Sequence, residues 1–182
     1  MKVKRKLSCK IHFYSKYEKI IFRNGLLGGL VVSTTMIITT IFMKAYPEKE
    51  PCMVLGFLSM FLSFLFVIIG IKQQDALNKS GVSFWKSFKT GFYISAIIST
   101  IYVLVWLVIY YNFFPDFMEN YSNIVLKNTK PQELAAKSLE MSQMIEDYKN
   151  PIFVILYTYL EIFPLGILVA LVTPTVTLLK QK

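Results

Sequence analysis

The polar and apolar positions of this chain alternate on a long period. Apolar stretches occupy residues 25–43, 53–71, 91–113 and 152–179, and the first three hold no charged residue. About 20 apolar residues cross the hydrocarbon core of a bilayer as a helix, so each stretch predicts a membrane-spanning helix. The segments between them are polar and carry turn signals. Residues 44–52 are short and contain Pro47 and Pro51. Residues 72–90 contain Ser80-Gly81-Val82-Ser83, which predicts a turn leading into the third helix.

Residues 114–151 form the one sizeable polar segment. Pro115 ends the third helix, and Phe117, Tyr121, Ile124 and Val125 predict a short amphipathic helix. Thr129-Lys130-Pro131-Gln132 predicts the start of another, with Thr129 as the capping side chain and Pro131 in the first turn. Leu134, Met141, Ile145 and Tyr148 mark its apolar face, and Asn150-Pro151 ends it. The expected fold is all-α: an integral membrane four-helix bundle, with a helical hairpin over residues 114–151 between the third and fourth spans. The expected domains are a basic arm, residues 1–24, and a four-transmembrane-helix domain, residues 25–182.

Composition agrees with the pattern. Hydrophobic residues make up 54% of the 182, too many for an ordinary soluble domain. The net charge of +9 would suggest nucleic acid in a soluble protein. Here the basic residues flank apolar stretches, which points to topology and anionic headgroups and away from nucleic acid. Fourteen Lys and Arg lie in the arm, the 72–90 segment and the C-terminal tail, against six in the other two connections. The positive-inside rule then places both termini in the cytoplasm and the hairpin outside. In the arm, Phe13, Tyr17, Ile20 and Ile21 fall at helical spacing. Two readings follow: an amphipathic helix in the headgroup region, or a disordered basic segment. A cleavable signal peptide is not expected, because no small-x-small site follows the first apolar run.

Candidate chemistry is sparse. Cys9 and Cys52 face opposite sides of the membrane on this topology and cannot pair within one chain. With His12 as the lone histidine, neither a metal site nor a Ser-His-Asp triad is expected, and no nucleotide-binding motif is present. No cofactor is expected, and the protein is expected not to be an enzyme. Asn120-Tyr121-Ser122 matches a glycosylation acceptor, of consequence only in a glycosylating host.

Glu161 stands out, because an ionisable group inside a span is costly and marks a functional candidate. It lies about 13 Å below residue 152 at 1.5 Å per residue. Equal depth on the other spans reaches Thr34, Thr35, Ser59, Ser63 and Tyr102. Pro164 lacks an N–H and leaves the Leu160 carbonyl without its helical donor, a predicted helix break. The locus is either proton- or cation-responsive, or a neutral Glu whose hydrogen bond fixes helix register. Small residues at four-residue spacing predict close helix packing: Gly25, Gly29 and Ser33; Ser59 and Ser63; Gly91, Ser95 and Ser99; Gly166 and Ala170. In three spans they fall in the cytoplasmic half, which predicts a tight inner half and a looser outer one holding Tyr102, Trp106 and Tyr110.

Several local strings resemble one known family. They are Gly70-Ile71-Lys72, Gly81-Val82-Ser83-Phe84 with Phe88-Lys89, and Tyr111-Asn112-Phe113 with Pro115-Asp116-Phe117. Further on come Lys149-Asn150-Pro151 and then Glu161 with Pro164 and Gly166. In order and spacing the chain from about residue 24 onward resembles the domain-of-unknown-function family numbered 4199, small membrane proteins of Bacteroidota. The longer arm, residues 1–23, departs from that pattern. The resemblance implies a four-helix, multi-pass protein of the bacterial inner membrane and supplies no catalytic residues. The expected role is a non-enzymatic interaction or scaffold protein, whose hairpin and small-residue faces bind a second copy or another membrane protein. The alternative is a small oligomeric transporter or channel subunit with Glu161 on its path.

Overall fold

The computed structural model describes residues 2–46, 53–78 and 82–179, with side chains from Lys16 onward. The expectations for Cys9, His12 and Cys52 therefore fall outside the described side chains. The described residues form six helices and no strand: α1 Lys2–Ala45, α2 Met53–Leu77, α3 Phe84–Phe113, α4 Phe117–Asn128, α5 Leu134–Asp147 and α6 Pro151–Leu179. Four of them, α1, α2, α3 and α6, are long and apolar enough to cross a membrane.

Their outer faces agree with that assignment. Leu26, Leu30 and Ile41 on α1, Phe57 and Phe61 on α2, and Leu160, Leu168 and Val172 on α6 all point away from the protein. Each large apolar side chain left in water forfeits about 1.5–3 kcal/mol, so a surface of this kind is tolerable only in hydrocarbon.

Close approaches set how the long helices meet. A Cβ placed on Gly28 would lie 2.5 Å from Ile98 of α3 and 3.0 Å from the Ser63 carbonyl of α2. Gly25 meets Ile97 and Gly29 meets Ile101, so positions rise together along α1 and α3 and these helices run parallel. Gly91 meets Ala170 and Ser95 meets Gly166, so α3 and α6 are antiparallel. Asn24 beside Gly70 and Gly28 beside Ser63 make α1 and α2 antiparallel as well. Helix α3 thus touches all three of the other long helices. Phe64, Val67, Ile71, Ile94, Ile98 and Ile162 fill the space between them and are buried almost completely.

At the other end of the bundle a second core forms from Tyr110, Met118, Tyr148 and Val154, with Trp106, Phe117 and Tyr157 packed against it. Two ring pairs meet edge to face, Trp106 with Phe117 at 4.8 Å between centroids and Tyr110 with Tyr148 at 5.5 Å. This is the favoured geometry for aromatic pairs. It fastens α4 and the residues after α5 onto the ends of α3 and α6.

Helix α1 runs unbroken from Lys2 through the first span. Three expectations need correction. The predicted spans stop short of the helices. Helix α2 continues to Leu77, and α3 already begins at Phe84, with Ser83 in extended conformation just before it. Pro164 does not break α6, which is continuous through both Pro164 and Pro174. Losing one N–H costs less in hydrocarbon than unwinding a turn and exposing further backbone groups. Thr129 does not cap α5. Its hydroxyl donates to the Val125 carbonyl at 2.7 Å, back into α4, and α5 begins only at Leu134.

The glycine contacts predict a sharp contrast between positions. Gly91→Val should lower the midpoint of thermal unfolding in detergent and cost about 1–3 kcal/mol, the usual range for overpacking. Gly56→Ala meets nothing within 4 Å and should be neutral or slightly stabilising. Equal effects of the two would rule out the close-approach account.

Candidate functional site

Helix α6 buries one narrow stripe: Val154, Thr158, Ile162, Gly166, Ala170 and Pro174. Glu161 is one residue off this stripe and is exposed on the flank of the helix. Among the described residues it makes no hydrogen bond and no ion pair. Ten residues along α6 from Pro151, it lies about 15 Å into a 29-residue helix, about a third of the way along and well inside the span.

The structure separates most of the polar groups placed at its level. Thr34 is exposed, and the Thr35 hydroxyl donates to the Val31 carbonyl of its own helix at 3.1 Å. Ser59 donates to the Gly56 carbonyl at 2.7 Å. Ser63 reaches across to the Gly28 carbonyl of α1 at 2.6 Å. These hydroxyls are engaged with backbone. Tyr102 is half-buried and packs against the central core.

Tyr148 lies just before α6. Its phenol is pushed up to about 12, chiefly by its own burial. Its ring stacks on Tyr157 at 5.9 Å between centroids, and the Tyr157 hydroxyl donates to Asp147 at 2.6 Å. Glu161 is therefore an exposed carboxyl on the flank of a span, without a partner among the described residues.

The small-residue stripes lie elsewhere. Gly25, Gly29, Gly91, Gly166 and Ala170 all contact neighbouring helices of the same chain, and Ser33, Ser95 and Ser99 are buried. These faces make their contacts inside the bundle.

A second polar group, absent from the sequence reading, joins α1, α2 and α3 at the end opposite α4 and α5. Asn24 donates to the Gln73 side-chain oxygen at 3.0 Å and to the Ile20 carbonyl at 2.8 Å, and Arg23 donates to the same Gln73 oxygen at 3.0 Å. Ser87 donates to Asp75 at 2.5 Å, and Thr90 lies 3.4 Å from the Tyr17 hydroxyl. Gln74 is 2% exposed, and its side-chain oxygen has no hydrogen-bond partner among the described residues. The signal for this cluster was present. The buried face of α2 runs through Met60, Phe64, Val67 and Ile71, and one more turn of the same face arrives at Gln74. Assigning residues 72–90 to a connection hid it.

Over residues 23–175 the chain matches the family described as "Protein of unknown function (DUF4199)". No curated protein and no solved structure matches it.

A raised phenol pKa makes a signed prediction. The neutral form of Tyr148 is favoured in the folded state, so its contribution is complete below the ordinary tyrosine value near 10 and is lost as pH rises towards about 12. Phenolate absorbance of wild type minus Tyr148→Phe should show a group ionising near pH 12. A difference centred near pH 10 would mean that Tyr148 is not buried as described.

Proposed function

The chain belongs to the DUF4199 family of proteins of unknown function, and from that premise we propose a multi-pass protein of the bacterial inner membrane with a non-enzymatic, partner-binding role. Both termini face the cytoplasm, and α4 with α5 forms a hairpin on the outer side. The excess of Lys and Arg in the arm, the α2–α3 connection and the tail supports this orientation.

The observation that carries the partner-binding role is the placement of Glu161. A carboxyl group well inside a span is held neutral or paired, because a bare charge there is costly. A neutral carboxyl exposed to hydrocarbon still leaves a donor and acceptors unmet. Glu161 finds no partner among the described residues, so its hydrogen bond is available to a helix of another molecule. A second copy of this chain or a different membrane protein can supply that helix. Interhelical hydrogen bonds of this kind contribute about 1–2 kcal/mol in membranes. Thr35, Ser59 and Ser63 are bonded to backbone, which favours binding over a polar conduction path.

Orientation is tested directly. In a Cys9→Ser, Cys52→Ser background, Leu139→Cys on exposed α5 should react with a membrane-impermeant maleimide added outside intact spheroplasts. Labelling only after lysis would invert the topology.

Association is tested in liposomes of bacterial lipids by energy transfer between labelled copies and by co-purification with candidate membrane partners. Glu161→Leu should weaken association about 5- to 30-fold, while Glu161→Gln, which still hydrogen-bonds, should retain most of it. If Glu161→Leu leaves every association unchanged, the reading fails. If instead Glu161→Gln abolishes proton-driven flux in those liposomes with association intact, a transport role replaces it.

A further inference from the structure

The last glycine contact of α1 with α3 joins Gly29 to Ile101. Towards the α4–α5 end, bulky side chains follow on both helices and a groove of about 600 Å³ opens between them. Ile37 and Ile41 line it from α1, and Leu104, Val108 and Phe113 from α3. All five are exposed on the surface that faces hydrocarbon. Lys44, in the last turn of α1, stands at its end and makes no hydrogen bond or ion pair among the described residues. The other polar lining residue, Thr40, has its hydroxyl on the Met36 carbonyl at 2.8 Å.

We propose that this groove holds an acyl chain of an anionic phospholipid, with the lipid phosphate on Lys44. Three observations select this occupant. Apart from one ammonium the lining offers no free polar group, so a peptide or sugar would bury its own polar atoms unmet. From Ile37 to Lys44 the groove runs about 10 Å along α1 at 1.5 Å per residue. A membrane-spanning helix crosses about 30 Å, so a groove this short does not seat a second copy along its length. The one charge sits at the terminal turn of a span, the level of lipid headgroups, and has the sign that a phosphate needs. An empty apolar groove would forfeit dispersion contacts that a chain of the surrounding lipid supplies.

The full-length protein is reconstituted in nanodiscs of equal parts phosphatidylglycerol and phosphatidylcholine, and the lipids retained on release are counted by native mass spectrometry. Wild type should prefer phosphatidylglycerol by about fivefold, the worth of one lysine near anionic lipid, and Lys44→Gln should bring the ratio near one. Val105→Trp, which fills the groove wall, should reduce retention of both lipids. Leu65→Trp, on the outer face of α2, should not, and controls for a general loss of fold. A photoreactive benzoylphenylalanine in place of Val108 should attach to lipid. Crosslinking to a second copy or only within the chain overturns the proposal. So does an unchanged lipid preference in Lys44→Gln.

Discussion

The distance at which α3 meets its neighbours governs the rest of this molecule. In lipid, burying one more leucine between helices gains little over leaving it among acyl chains, so helix association depends on close van der Waals contact. Such contact needs positions without bulk. Gly25, Gly28 and Gly29 receive isoleucines of α3, and Gly91 and Gly166 receive side chains from α6 and α3 in turn. With the helix axes set there, the isoleucines and Phe64 interlock between them and the centre of the bundle has little slack.

Beyond these glycines the packing changes. Beyond Gly29 and Ile101 the groove lined by Ile37 and Leu104 opens, and on the α6 side the space is closed by large rings and by α4. The two ends of the bundle are therefore held by different means. Aromatic edges and faces hold the α4–α5 end, while Asn24, Gln73, Asp75, Ser87 and Thr90 cross-link three helices at the other. Hydrogen bonds that reach between helices also fix rotation about the helix axis, which greasy packing alone specifies weakly.

Most hydroxyls in the spans donate to a carbonyl of their own helix, as Thr39, Thr158 and Thr173 do. This lets polar residues sit in an apolar medium without creating a site. Glu161 is different: it is exposed on the flank of α6 and makes no hydrogen bond among the described residues. The proposed role rests on that contrast.

How much of this was legible in the residues follows from which interactions are local. The four spans, the polar segment between the third and fourth, and the small-residue stripes are properties of single helices: hydropathy over about 20 residues and a spacing of four. They could be read without knowing any neighbour. The helix ends, Pro164 inside an unbroken helix and Thr129 bonded backwards depended on what else could satisfy a backbone group. Depth along a span predicts the level of a side chain and says nothing of its direction. Thr34, Thr35, Ser59 and Ser63 thus matched Glu161 in level while pointing elsewhere. Rotation of each helix about its axis is decided only when all four pack, and it is rotation that left Glu161 facing out and carried Gln74 into the core.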